Sequence, residues 1–135
     1  MQSPKINETR NWIKKADQDL YSAAWLLQSP DPVYNAVGFH CQQAAEKALK
    51  AYLTWIEQPF EKTHSLVALV GICLLFEQQF ETLRKASTVL TPYAITTRYP
   101  GDLPELSCQE ANEALTLAQQ IFDFVLERIP PDTQV

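Results

Sequence analysis

The sequence predicts an all-α protein, an antiparallel bundle of four main helices, and three observations carry that reading. Apolar residues recur at helical spacing along most of the chain, as in Trp12, Ile13, Ala16, Leu20, Ala23, Ala24 and Leu27, which gathers them on one side of a helix. There are only three glycines, and the nine prolines concentrate near the proposed helix boundaries and the termini, the punctuation of helices with defined stops. Residues 39–53 are rich in Ala, Leu, Gln, Glu and Lys and contain no Gly or Pro, a run of strong helix formers. At 135 residues the chain is long enough to bury its own core, and residues 1–135 read as one domain.

Ser3-Pro4 opens the first helix with a capping side chain followed by a proline at the first helical position, and Ser29-Pro30 closes it. Asp31-Pro32 repeats the signal and starts a central helix that runs to about Ile56, where Gln58-Pro59 stops it. Tyr34, Val37, Cys41, Ala44, Ala45, Ala48 and Tyr52 form its apolar stripe, with small residues at the centre that allow another helix to approach closely. The connector through residues 60–63 is short, so the third helix returns antiparallel.

Residues 66–76 are apolar on every side. Such a helix in a small bundle is either the most deeply buried one or meets a second subunit on its outer face. Phe76, Phe80, Leu83, Ser87 and Leu90 then mark an amphipathic segment ending before Pro92, either a continuation of the third helix or a fifth short one. Residues 93–106 hold Pro100, Gly101 and Pro104 and form the longest irregular stretch, of the kind that often carries function. Ser107-Cys108-Gln109-Glu110 is a capping box that opens the last helix, which Pro130-Pro131 ends.

Composition excludes several classes of function. A net charge of -5 argues against a broad basic surface for coating nucleic acid, so any such contact is local or partner-assisted. Cys41, Cys73 and Cys108 are odd in number, far apart and without a Cys-x-x-Cys pair, as expected in a reducing compartment. The first residues lack the apolar core of a signal peptide, and eleven apolar residues at 66–76 are too few to span a bilayer. A cytoplasmic protein with no membrane role is expected. Two histidines without a third ligand at metal spacing predict no metal site, and no Gly-rich phosphate loop predicts a cofactor.

The polar face of the central helix is the first candidate site. Gln43, Glu46 and Lys50 line up there, flanked by His40 and Lys47. Glu46 and Lys50 stand four apart, and such pairs ordinarily decorate exposed helices at about 0.2 to 0.5 kcal/mol. The mixture of amides, a carboxylate, ammonium groups and an imidazole also suits a polar ligand held between helices. His64, just before the third helix, either caps that helix or serves as a hydrogen-bonding or acid–base group beside Lys47 and Lys50. His40 reads as a partly buried structural histidine. In the irregular stretch, Arg98 either pins the loop to Glu46 or Asp19 or grips a phosphate, with Tyr99 stacking on a base.

Four segments in order give the chain a family resemblance: Trp12, Ala16, Asp19, Leu20 and Ala23; Gln43-x-x-Glu46-Lys47-x-x-Lys50-Ala51; Lys62-Thr63-His64-Ser65-Leu66; and Thr97-Arg98-Tyr99-Pro100-Gly101-Asp102. Together they resemble the HEPN family over nearly the whole chain. Many HEPN proteins are metal-independent ribonucleases whose activity is tied to an arginine with a histidine a turn or two later. Here no histidine follows Arg98, and the nearest arginine preceding either histidine is Arg10, far upstream of His40.

The resemblance therefore implies a HEPN-type binding module without the usual nuclease motif. It implies a homodimer acting with a nucleotidyltransferase-type partner in a toxin–antitoxin-like pair, and the residues read above as a candidate site, Gln43, Glu46, Lys47, Lys50, His64, Arg98 and Tyr99, are the ones expected to contact nucleotide or RNA. One alternative is a ribonuclease with a rearranged site, in which Arg98 stabilises phosphate and His64 acts as acid or base. The other is a purely structural helical adaptor.

Overall fold

The structure is a computed structural model that describes residues 3–95 and 105–134. It contains five α-helices: α1 (Pro4–Gln28), α2 (Tyr34–Trp55), α3 (Leu66–Cys73), α4 (Arg84–Leu90) and α5 (Cys108–Leu126). Among the described residues there is no strand, and no helix is long and apolar enough to cross a membrane.

α1 begins as expected, with the Ser3 hydroxyl accepting a hydrogen bond from the Ile6 amide at 3.3 Å and Pro4 at the first helical position. α2 starts later than predicted. Asp31 does not cap it; Val33 occupies the cap position in an extended conformation and makes no side-chain capping bond. The two prolines explain the delay. Each biases its preceding residue away from helical geometry, so the five residues from Ser29 to Val33 bridge the helices.

α1 and α2 run antiparallel, since Lys5 meets Glu57 and Trp55 at one end while Asp19 meets His40 toward the other. α2 is the central helix, packed against α1, α5 and α3. Its stripe of Val37, Cys41, Ala44, Ala45, Ala48 and Tyr52 is buried, as are Ile13, Ala16, Leu20 and Ala23 of α1. Gly38 is the one place on α2 where a side chain would collide. A Cβ there would fall 2.5 Å from Leu106 Cδ1 and 3.4 Å from the Tyr93 ring. Leu106 is also held by its own amide, which donates to Asn35 Oδ1 at 2.8 Å.

α3 is shorter than the apolar run that predicts it. Ser65 caps it by accepting from the Ala68 amide at 3.1 Å, and the helix ends at Cys73. Leu66, Leu69, Val70 and Cys73 are buried, but Val67, Leu75 and Phe76 are 44, 79 and 49% exposed. The outer face is therefore open, and α3 is not a helix enclosed on every side. The following segment does not continue α3. It forms a 3₁₀ turn at Gln78–Leu83, burying Phe80 and Leu83, and then the separate helix α4.

α5 opens with the capping box in full: the Glu110 amide donates to Ser107 Oγ at 3.0 Å and the Ser107 amide to Glu110 Oε1 at 2.9 Å. Ala111, Ala114, Ala118, Ile121, Phe122 and Val125 turn inward against the core. At its far end Arg128 stacks 3.4 Å from the Phe124 ring centroid and donates to Glu77 Oε1 at 3.0 Å. That contact ties α5 to the chain just beyond α3.

Candidate functional site

The polar face of α2 is not a solvated surface. Glu46 and Lys50 are only 4 and 7% exposed, and Gln42 beside them is fully buried. The expectation of an exposed, decorative Glu46–Lys50 pair is thus corrected. Trp12 of α1 and Phe60 of the connector pack edge to face over this region, and the Lys50 ammonium sits 5.7 Å from the centroid of each ring. Both aromatics are distant in sequence, and they exclude water from one side of the pair.

Glu46 is the hub. Its Oε2 accepts from Lys50 Nζ at 2.9 Å, and its Oε1 accepts from the Gln42 amide at 3.1 Å and from His64 Nδ1 at 2.8 Å. Burial pushes the carboxyl up, but the hydrogen bonds from Lys50, His64 and Gln42 outweigh it and hold the group below its ordinary value of 4.5. Glu46 is consequently an ionised acceptor at neutral pH.

Gln42 uses its whole amide. Besides donating to Glu46, its nitrogen donates to the His64 carbonyl at 2.8 Å, and its oxygen accepts from the Gln43 amide at 2.7 Å. Next to His64, the Ser65 amide donates to Thr63 Oγ1 at 3.0 Å. The residue is thereby fixed at its own backbone, through its following neighbour and through its ring, while its side chain stays 73% exposed. His64 does not cap α3, since Ser65 performs that role. Beside this connector lies a cavity of about 380 Å³ lined by Pro59, Phe60, Glu61, Thr63, Ala68 and Ile72.

A second cluster sits farther along the α1–α2 seam. Asp19 accepts from His40 Nδ1 at 2.9 Å and from Lys47 Nζ at 2.5 Å, and is itself nearly buried. His40 is partly covered and packs edge to face against Phe39, the structural placement expected of it.

Of the predicted site residues, the structure brings Gln43, Glu46, Lys50 and His64 into one network. It separates Lys47 from them, because Lys47 serves Asp19. Arg98 and Tyr99 lie outside the described residues. Gln42 was missed by sequence reasoning. Its signal is a polar amide next to Cys41 on the inward side of α2 and one turn before Glu46. Asp19, beside Leu20 in the apolar stripe of α1, is a comparable signal. No group of three or more His, Cys, Asp or Glu residues able to hold a metal occurs among the described residues.

A family comparison decides what this helical frame is: the HEPN domain model matches residues 9–129. The chain belongs to the HEPN domain family. Among solved structures, this HEPN chain is similar to TT1696 from Thermus thermophilus, with 36% identity, a TM-score of 0.77, and 91% of this chain and 99% of that chain covered. It is also similar to ST0689, described as an archaeal HEPN homologue, at 25% identity and a TM-score of 0.73, covering 91% and 98% of the two chains. A HEPN domain protein from Thermotoga maritima shares the fold at 23% identity and a TM-score of 0.55, covering 94% of this chain and 100% of that one. A search of curated proteins finds no match.

Proposed function

We propose that this HEPN domain is a homodimeric binding module that acts with a nucleotidyltransferase-type partner in a toxin–antitoxin-like pair and contacts nucleotide or RNA. The observation that carries the reading is how the polar network is built. Asp19 of α1 is committed to His40 and Lys47 of α2, Glu46 is committed to Lys50 within α2 and to His64 of the connector, and His64 is the most exposed member of the set. Such an arrangement favours a fixed hydrogen-bonding surface for a ligand. The absence of a histidine after Arg98 supports binding over the usual HEPN nuclease chemistry. The open apolar face of α3 supports the dimer.

The test is threefold on one purified sample: mass by light scattering, calorimetric titration with AMP and with a single-stranded oligoribonucleotide, and co-purification with a nucleotidyltransferase encoded beside it. A dimer that binds either probe or retains the partner is the expected result. A monomer at micromolar concentration that binds none of the three sinks the reading.

The contact between Glu46 and His64 favours one alternative, a metal-independent ribonuclease with Arg98 and His64 in a rearranged site. A buried carboxylate on Nδ1 is the arrangement that orients an imidazole for proton transfer. RNA cleavage in the presence of chelator, lost in both Arg98→Ala and His64→Ala with circular dichroism unchanged, would establish that activity in place of simple binding.

A further inference from the structure

A cavity of about 540 Å³ opens where the start of α1 meets the end of α2. Lys5, Glu8 and Trp12 line it from α1, and Glu57, Pro59 and Phe60 from the residues that follow α2. The three α1 residues recur at steps of three and four, which sets them on one face of that helix. Trp12 and Phe60 are partly buried and meet edge to face, their planes 70° apart.

The chain already seats an ammonium group at this place. Lys5 Nζ lies 4.1 Å from the Trp55 ring centroid and 3.5 Å from Glu57 Oε2, so an aromatic face and a carboxylate share one cation. Lys50 repeats the pattern against Trp12 and Phe60, with Glu46 as its carboxylate. Glu57 is thus taken by Lys5, and Glu46 by Lys50 and the donors beside it. Glu8 is uncommitted: among the described residues its carboxylate has no ion pair and no hydrogen bond. Glu57 also holds a left-handed backbone conformation at the cavity's edge, and strain of that kind clusters where a side chain is needed for binding.

The lining selects a class of ligand. Carboxylates at Glu8 and Glu57 repel a phosphate, and rings 70° apart offer no parallel slot for a nucleobase. A bare metal ion finds too few ligands, since no group of three or more His, Cys, Asp or Glu residues suited to one occurs among the described residues. An organic cation meets both demands of the cavity. Its charge answers Glu8, and its methylene stem lies along Trp12, Pro59 and Phe60 as lysine stems lie along apolar surface.

We propose that this cavity binds an alkylammonium group carried on an aliphatic stem, with Glu8 as its counter-charge and Trp12 and Phe60 as its aromatic walls. That chemistry belongs to a free polyamine and to a lysine side chain presented by another protein. Binding here does not depend on nucleotide or RNA binding, so either can fail without the other.

Calorimetric titration of the full chain tests it, with spermidine, with N-acetyl-lysine amide and with the same amide acetylated at its side-chain nitrogen. The first two should bind and the third, which lacks the charge, should not. Glu8→Gln, a change at an exposed side chain, should weaken binding about two- to fivefold, the value of one exposed ion pair. Glu113→Gln removes the same charge from α5, outside the cavity, and should leave binding unchanged. Phe60→Leu keeps an apolar wall without the ring and should cost about two- to fivefold as well; should it fail to fold, Glu8→Gln still decides.

Spermidine bound far more tightly than the lysine amide would identify a free polyamine as the source, and comparable affinities a lysine of a partner protein. No binding of either at millimolar concentration overturns the proposal. So does equal weakening by Glu8→Gln and Glu113→Gln, which would reduce the effect to general attraction by an acidic chain, or equal binding of the acetylated amide.

Discussion

At Glu46 three donors converge on one nearly buried carboxylate, and its energetics follow from that crowding. Its carboxyl is held below the ordinary value of 4.5, so it contributes stability that is complete above that unfolded value and is lost as pH falls through the lower folded value. Glu46→Gln should therefore flatten the acid limb of a stability-versus-pH curve. It should also cost about 3 kcal/mol at neutral pH, because Lys50 is left buried without its counter-charge. Urea unfolding across a pH series checks both; an unchanged acid limb would mean that the carboxylate is not protected in the folded state.

The cysteines behave differently from one another for a related reason. Burial pushes the Cys41 and Cys73 thiols up to about 12, whereas Cys108 is exposed at the start of α5. A thiol reagent should modify one cysteine in the folded chain and all three after denaturation. Rapid modification of two or three in native buffer would contradict the packing described for α2 and α3. The side-chain content of the site was partly legible at this scale. Glu46, Lys50 and His64 stand out in sequence as polar groups near one helix face, but their burial does not, because Trp12 and Phe60 that cover Lys50 come from elsewhere in the chain. Gln42 is legible only as a polar amide on the inward side of α2; its role is not, because its partner carbonyl belongs to His64, 22 residues on.

Among the helices, local signals translated well and tertiary ones did not. Ser3-Pro4 and the Ser107 capping box act within a single turn, and both appear in the structure as the sequence implies. The end of α3 depends instead on what packs against it, and the apolar run outlasts the helix. The terminus of α2 carries a feature that sequence inspection passes over. Glu57 has φ 57°, the left-handed conformation usually given to glycine, with the Gln58 amide donating to the Leu53 carbonyl at 2.9 Å and the Glu57 amide to the Thr54 carbonyl at 3.1 Å. Its ion pair with Lys5 at 3.5 Å is largely exposed and offsets little of the strain. Glu57→Gly should raise stability by about 0.5 to 1 kcal/mol, seen as a higher midpoint in thermal unfolding. A lower midpoint would show that the Lys5 contact outweighs the backbone cost.

For the molecule as a whole, the outer face of α3 is the surface on which assembly should turn. Val67 on α3 and Leu75 and Phe76 in the turn that follows it are exposed, beside the cavity that Ala68 and Ile72 help to line. Burying large apolar side chains is worth roughly 1.5 to 3 kcal/mol each, enough for a few to drive association. The double substitution Val67→Lys with Leu75→Glu alters no buried position and should convert the expected dimer to a folded monomer by sedimentation velocity. A dimer that persists would place its interface elsewhere. The all-α frame itself was readable because helical periodicity is written along each segment; the openness of α3 was not, since only the assembled bundle decides which face is left over.

Ala16 and Ala23 of α1 and Ala44, Ala45 and Ala48 of α2 are all fully buried, and α1 packs along α2. Small side chains of this kind leave shallow ridges, and two such helices could settle in more than one alignment, each a helical turn of about 5.4 Å from the next. Asp19 resolves the ambiguity. Slipping by a turn would carry it past one of His40 and Lys47 and break the bridge it makes to both. The charges thus act as an index mark, selecting one rung of a smooth ladder, and their value lies in the misalignments they forbid.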